Sequence, residues 1–405
     1  VIVEFDPEVL RPDPERRQQV LGWLGAALNA VDPERLTAEA LRDGRPEKTT
    51  IFAIGKAAPA MTRGAASALD VVSGICVTDH PEDIPDPVTL LVGDHPVPEH
   101  ASYAAGAYVL EAARQTPPDV HLVALVSGGG SALCEAPREG VPFEYLSQVY
   151  ARLVSAGIGI EDINLVRSHL SAVKGGGVAR AAGRPISTLV ISDVGPAGPQ
   201  VVASGPTIPG RHDPDAATAV LQKLSLGIPE QVAQAMRRRP LDISAPEIHV
   251  LADGRKAARA VEEGAAAPTR LAPGWIQGDV EIAVRSFMAA AGPGVTIGAG
   301  EVSMEVTGGG SGGRCTHAAL LAADYLGVDD LFCAFATDGV DGGAGASGGI
   351  VDGSTFSRGG DPTRALSNFD SAPYLARTSD LLRCPPTGTN VSDLWILWRR
   401  GSSPP

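Results

Sequence analysis

From about residue 48 onward the chain repeats one pattern: a short run of aliphatic and β-branched residues, then Gly or Asp, then an Ala-rich stretch with helical spacing. TTIFAIG from Thr49, ICVTD from Ile75, VTLLVGD from Val88, HLVALVSGG from His121, STLVISD from Ser187 and EIHVLAD from Glu247 are nearly continuous apolar runs. Continuous runs predict parallel strands covered on both faces, and the intervening helical stretches, such as Ala101 to Arg114 and Phe143 to Ser155, supply the crossovers. Before this rhythm starts, Leu21, Leu24, Leu28 and Val31 fall at spacings of three and four, the stripe of an N-terminal helix. After a loop-rich stretch from Gly264 to Gly278 the rhythm changes. A helix near Val280 to Ala291 precedes two strand-like runs, VTIGAGE and VSMEVT, then GGGSGGR, an Ala/Leu helix and LFCAFATDG. The expected architecture is α/β: a parallel-sheet domain over residues 1–265 and a second, smaller α/β domain over 266–405.

Composition narrows the function classes. The 405 residues carry 33 Lys plus Arg against 47 Asp plus Glu, a net charge of −14. Such an excess of anions disfavours a nucleic-acid partner, which needs clustered cations to neutralise phosphates. The longest consecutive basic run is Arg237, Arg238 and Arg239. Five widely spaced cysteines show no paired framework and no CxxC, and no apolar run approaches membrane-spanning length, so the expectation is a reduced, cytoplasmic protein with no membrane partner. The final GSSPP reads as a frayed tail.

In open α/β sheets ligands bind outside the carboxyl ends of the strands, so candidate residues are those that directly follow the apolar runs. Lys56 follows TTIFAIG, Ser127, Gly128, Gly129, Gly130 and Ser131 follow HLVALV, Asp193 follows STLVIS, Gly312, Gly313 and Arg314 close the third glycine loop, and Asp338 follows LFCAFAT. An ammonium after a buried strand is either solvated at the rim or aimed at an anion in the cleft. Glycine loops let backbone N–H groups approach phosphate, and a second such loop follows Lys174. Asp193 and Asp338 suit a general base, a metal ligand or a helix cap. Gly308, Gly310 and Gly313 also satisfy GxGxxG with Asp338 one strand later, a dinucleotide-binding signal that leaves an NAD(P)-dependent reductase open. Gly345, Ser347 and Gly349 match GxSxG, yet a strand-like run follows where a nucleophile elbow needs a helix.

Taken in order, IGKAA at Ile54, DHPVPEHAS at Asp94, SGGGSAL at Ser127, INLVRSHLSAVKGGG at Ile163, ASGPTIP at Ala203, GGR at Gly312, ATDGVDG at Ala336 and PTGTNVSDL at Pro386 resemble the class II glycerate 2-kinases. That resemblance implies a Rossmann-like domain followed by one of the MOFRL type, and ATP- and Mg²⁺-dependent phosphorylation of the 2-hydroxyl of D-glycerate. It implies catalytic roles for Lys56, Asp193 and Arg314, with Asp193 as base and as the carboxylate available to a metal. Ser127 to Ser131, Lys174, Gly312, Gly313, Asp338, Thr387 and Asn390 would hold substrate or phosphate. The implied partners are a small hydroxy acid and a nucleotide, and a homodimer is one assembly it allows.

The chain departs from the family pattern in three places. GPAGPQ from Gly195 stands where the family continues SDV with a Gly–Asp pair, Cys315, Thr316 and His317 stand where it has Asn and then Glu, and the loop after ATDGVDG has lost its acidic and Thr residues. Lost carboxylates weaken a hold on Mg²⁺ or substrate hydroxyls. The alternatives are therefore a relative that binds a sugar acid or nucleotide without turnover, and a hydroxypyruvate-type reductase.

Overall fold

The structure, a computed structural model, describes residues 3–42, 48–155, 158–244, 246–343 and 345–400. The chain divides into two compact units, Pro33–Leu251 and, from both ends of the chain, Val1–Asp32 with Ala252–Pro405. The expected division at 265/266 had assigned the N-terminal helix, α1 (Pro14–Ala30), to the parallel-sheet domain. In the structure its apolar stripe packs within the second unit, with Trp23 against Trp398 at 5.1 Å between ring centres. Arg17 on the same helix is wholly buried and bonds Asp380 at 2.6 Å, with Asp352 a second carboxylate partner. A helical stripe announces that a face will be buried, but not against which part of the chain.

In the first unit, α2 (Pro33–Leu41) leads into β1 (Lys48–Ile54), α3 (Ala58–Ala68), β2 (Asp70–Thr78), β3 (Val88–Val92), α4 (His100–Gln115) and β4 (His121–Val126). Four helices follow, α5 (Gly130–Leu133), α6 (Phe143–Ser155), α7 (Ile160–Leu170) and α8 (Gly177–Ala182), then β5 (Ser187–Ile191), α9 (Pro214–Lys223), α10 (Glu230–Arg237) and β6 (Ile248–Ala252). The strands lie in the order β3-β2-β1-β4-β5-β6, and the pairs β3–β2, β2–β1, β1–β4 and β4–β5 are parallel. Every residue of β1 and β4 after the first is buried, which is why their runs are continuous and not alternating. The strand order reverses between β1 and β4, so the crevice at their carboxyl ends is the topological switch point where such sheets bind ligands.

The second unit continues with α11 (Gly254–Gly264), β7 (Thr269–Leu271), β8 (Ile276–Asp279), α12 (Val280–Ala290), β9 (Gly294–Ser303), α13 (Arg314–Ala322), β10 (Leu331–Ala336), β11 (Gly348–Asp352), β12 (Leu381–Leu382) and β13 (Asp393–Arg399). Its sheet is mixed, in the order β12-β11-β10-β13-β9-β7, with β7 and β8 both parallel to β9 and the remaining pairs antiparallel. Two expectations change here. The loop-rich stretch contains β7 and β8, and the first expected run continues through Val302 and Ser303 of the second as a single strand, β9, while Met304 to Thr307 lie beyond it. Its glycines make room instead of turning the chain: a Cβ on Gly300 would lie 2.0 Å from the Ile276 carbonyl oxygen of β8. The expected frayed tail, residues 401–405, lies outside the described residues. No described helix is long and apolar enough to cross a membrane.

Candidate active site

At the switch point two loops are laced by their backbones. Ser127 N–H donates to the Ile54 carbonyl at 3.0 Å, Lys56 N–H to the Gly128 carbonyl at 2.9 Å, and Ala57 N–H to Ser127 Oγ at 3.0 Å. This close approach requires Gly55, whose φ is +127° and whose hypothetical Cβ would sit 2.3 Å from Ser127 Oγ. Gly129, at φ +83°, is equally specific: a Cβ there would meet Lys56 Cγ at 3.0 Å. The stem of Lys56 therefore lies across the glycine loop.

Beyond the loop runs a polar relay that the sequence reading did not assemble. Ser131 and Ser204 hydroxyls are 2.8 Å apart, and Ser204 Oγ donates to Asn164 Oδ1 at 2.6 Å. Ala203 and Ser204 have positive φ, of 50° and 59°, a conformation that costs energy for residues with a Cβ. A cavity of about 260 Å³ opens beside this relay, lined among others by Asn164, Ser204, Ser168, Gln200, Glu161 and Asp162. Asp193 follows β5 after the buried Ser192 and is itself partly exposed.

Lys174 takes a different place from the one expected. It is wholly buried, and its ammonium donates to the carbonyls of Gly130 at 3.0 Å and Cys134 at 2.7 Å. It thus holds α5 from beneath and does not reach outward to a phosphate. Burial lowers its proton affinity, opposed chiefly by the buried Glu135. Glu135 in turn is raised by burial, with Lys174 opposing, and accepts from Tyr150 and Ser171 hydroxyls and from the Ala136 N–H at 2.8 Å.

In the second unit Arg314 is the first residue of α13 and pairs with Glu301 on β9 and, through Nε at 3.7 Å, with Asp393 at the start of β13. Burial opposes its charge, but Asp393 and Glu301 outweigh that and raise its proton affinity further. Asp393 is 3% exposed, and burial pushes its carboxyl up to about 7 although Arg314 pulls the other way. Asp338 follows β10, and its carboxylate accepts the Val340 N–H at 3.0 Å. Thr387 joins it through a backbone bond of 3.2 Å and donates its own hydroxyl to the Thr337 carbonyl at 2.5 Å. Asn390 Oδ1 accepts the Ser392 N–H at 3.2 Å.

The glycine loop before Arg314 does not have the form of a dinucleotide cradle. Gly309, Gly310 and Ser311 N–H groups donate to Asn368 Oδ1, the Asn368 carbonyl and Asp370 Oδ1 at 3.3, 2.9 and 2.9 Å. The start of α13 is filled by the chain's own carboxylate: Asp341 accepts the N–H groups of Cys315 at 2.9 Å and Thr316 at 2.7 Å. Gly312 and Gly313 are tightly packed, where a Cβ would lie 2.3 Å from Ser371 Oγ and from Asp341 Oδ1 respectively, and the Gly313 N–H donates to Thr316 Oγ1 at 2.8 Å. Asp341 was missed because a cap 25 residues downstream leaves no periodic signal. His317 is buried against Phe369, with ring centres 5.2 Å apart, and burial drives it down to about 4. Ser347 of the GxSxG match is buried and runs into β11, a strand.

Comparison with known proteins agrees with this architecture. Residues 19–237 match the model of a domain of unknown function, DUF4147, and residues 294–393 match the MOFRL family. The chain is 34% identical over 97% of its length to a D-glycerate 2-kinase of Thermotoga maritima, covering 99% of that protein. A crystal structure of glycerate kinase from the same organism superposes with a TM-score of 0.86 at 33% identity, covering 95% of this chain and 100% of that one. A relative from Agrobacterium vitis, 31% identical over 94% of each chain, carries the provisional name hydroxypyruvate reductase. With DUF4147 and MOFRL in this order and near-complete coverage at such identity, the chain belongs to the glycerate 2-kinase family.

Proposed function

We propose that the protein is a kinase that transfers the γ-phosphoryl of ATP to a hydroxyl of D-glycerate or a related small hydroxy acid. The observation that carries this reading is the placement of the Lys56 stem across Gly129 at the strand-order reversal, which sets a basic side chain against a glycine loop at the carboxyl ends of β1 and β4. Phosphoryl transfer asks little covalent chemistry of a protein; it asks for cations on the phosphoryl oxygens, a positioned hydroxyl and a proton acceptor. Lys56 serves the transferring phosphoryl, and the SGGGS loop, stiffened from below by Lys174, positions phosphate. Asp193 accepts the hydroxyl proton. In the second unit Arg314, its fork oriented by Glu301 and Asp393, is a cation suited to an acid group.

Among the described residues no three His, Cys, Asp or Glu side chains converge into a metal cage. A nucleotide-bound Mg²⁺ needs no such cage, since phosphates and water supply most of its ligands beside one or two carboxylates, and Asp193 fits that need. When bound, Mg²⁺ would neutralise charge on the β- and γ-phosphates. The reductase reading is favoured by the Agrobacterium relative's name, but the N–H groups of its GxGxxG loop bond Asn368 and Asp370.

The test is ADP release from MgATP across a panel of small hydroxy acids, D-glycerate first, in wild type and Lys56→Ala, with NAD(P)H oxidation by hydroxypyruvate in parallel. ADP release with one acid, lost in the variant, supports the kinase. Nicotinamide turnover without ATP would replace it with the reductase, and ligand-induced stabilisation without either product would leave a binding protein.

A further inference from the structure

On the first unit a second cavity, of about 390 Å³, is lined by Arg180 of α8, Gly210, His212 and the segment from Arg239 to Ile243. Its volume falls within the roughly 300–1,000 Å³ usual for small-molecule sites. Its electrostatics run against the whole chain. Arg180 donates from Nη2 to the Gly175 carbonyl at 2.8 Å, which fixes the guanidinium at the cavity wall. Burial lowers the proton affinity of Arg180, and the nearby cation Arg138 lowers it further; Arg138 is itself lowered by burial and by Arg238. His212 is lowered by burial, then by Arg138 and Arg239.

The surrounding carboxylates do not cancel this charge. Asp213 caps α9 through the Ala216 N–H at 2.9 Å and pairs with Arg211. Glu139 pairs with Arg238 at 3.3 Å and Asp242 with Arg239 at 3.7 Å, each between exposed side chains that exchange partners at little cost. In a protein of net charge −14, the guanidiniums of Arg180 and Arg239 on one concavity, against Asp242 as the single carboxylate among its lining residues, indicate a site for an anion.

We propose that this cavity binds a small phosphate-bearing anion through Arg180, His212 and Arg239. Two forked guanidiniums and an imidazole match the tetrahedral acceptors of a phosphate group better than a flat carboxylate. The ligand is either free phosphate or a phosphate monoester, and both present the same group.

The experiment is calorimetric titration at constant ionic strength with inorganic phosphate and with glycerol 2-phosphate. It uses the full chain carrying Lys56→Ala and Arg314→Ala, so that phosphate in the candidate active site does not contribute. Saturable binding that weakens at least about tenfold on adding either Arg239→Glu or His212→Ala supports the site, a factor equal to losing one charge-assisted contact. The tighter of the two probes identifies the source, ester or free ion. Absence of saturable binding, or binding unchanged by both substitutions, overturns the proposal. Arg239 is exposed, so loss of folding does not explain its effect.

Discussion

Asp393 lies 3.7 Å from the Nε of Arg314 and is 3% exposed, so the carboxylate that orients this arginine is itself held out of water. Its carboxyl, pushed up to about 7, binds a proton in the folded protein that the unfolded chain has released by about pH 4. The folded state therefore binds more protons between those values, and ionisation of Asp393 costs stability as pH rises from about 4 to about 7. Asp393→Asn removes this component: the difference in thermal midpoint, variant minus wild type, should grow across that window. A difference independent of pH would show that Asp393 does not titrate there. In the kinase assay the variant should lose the pH inflection near 7 that loosening of Arg314 gives wild type.

Lys174→Met should cost about 3–5 kcal/mol in denaturant unfolding, because it strands the Glu135 charge in the interior and releases the Gly130 and Cys134 carbonyls. Adding Glu135→Gln should recover part of that loss. A double variant no more stable than Lys174→Met would show that the two buried groups are not coupled.

Replacing Gly129 with Ala introduces a Cβ 3.0 Å from Lys56 Cγ at a φ of +83°. The backbone should cost about 1–2 kcal/mol. The larger effect falls on catalysis, since the stem of Lys56 must move: kcat should fall while the KM for the hydroxy acid changes little. For comparison, Lys56→Ala should lower kcat by roughly 10²–10³-fold.

Asp341→Ala uncaps α13 and should cost about 1–2 kcal/mol, with Asp341→Asn costing less because the amide oxygen still accepts one N–H. Equal stability of wild type and Asp341→Ala by chemical denaturation would remove the capping role.

The parallel sheet and the strand ends that carry the candidate residues were legible in the apolar pattern. Strands buried on both faces must be continuous apolar runs, and the residues just beyond them, Lys56, Ser127 to Ser131 and Asp193, are thereby placed at carboxyl ends without reference to any distant contact. Long-range contacts set which part of the chain α1 belongs to, that β9 is one strand, that Lys174 points inward, that Asn368 and Asp370 take the glycine loop's N–H groups and that Asp341 caps α13. The reason is common to these cases. Periodicity records how a residue relates to its own strand or helix, whereas a hydrogen bond or close approach between positions tens or hundreds of residues apart depends on the fold and leaves no local pattern. Glycine shows the limit most directly: in Gly129, Gly300 and Gly313 the missing Cβ makes room for Lys56, Ile276 and Asp341, three neighbours that local spacing does not name.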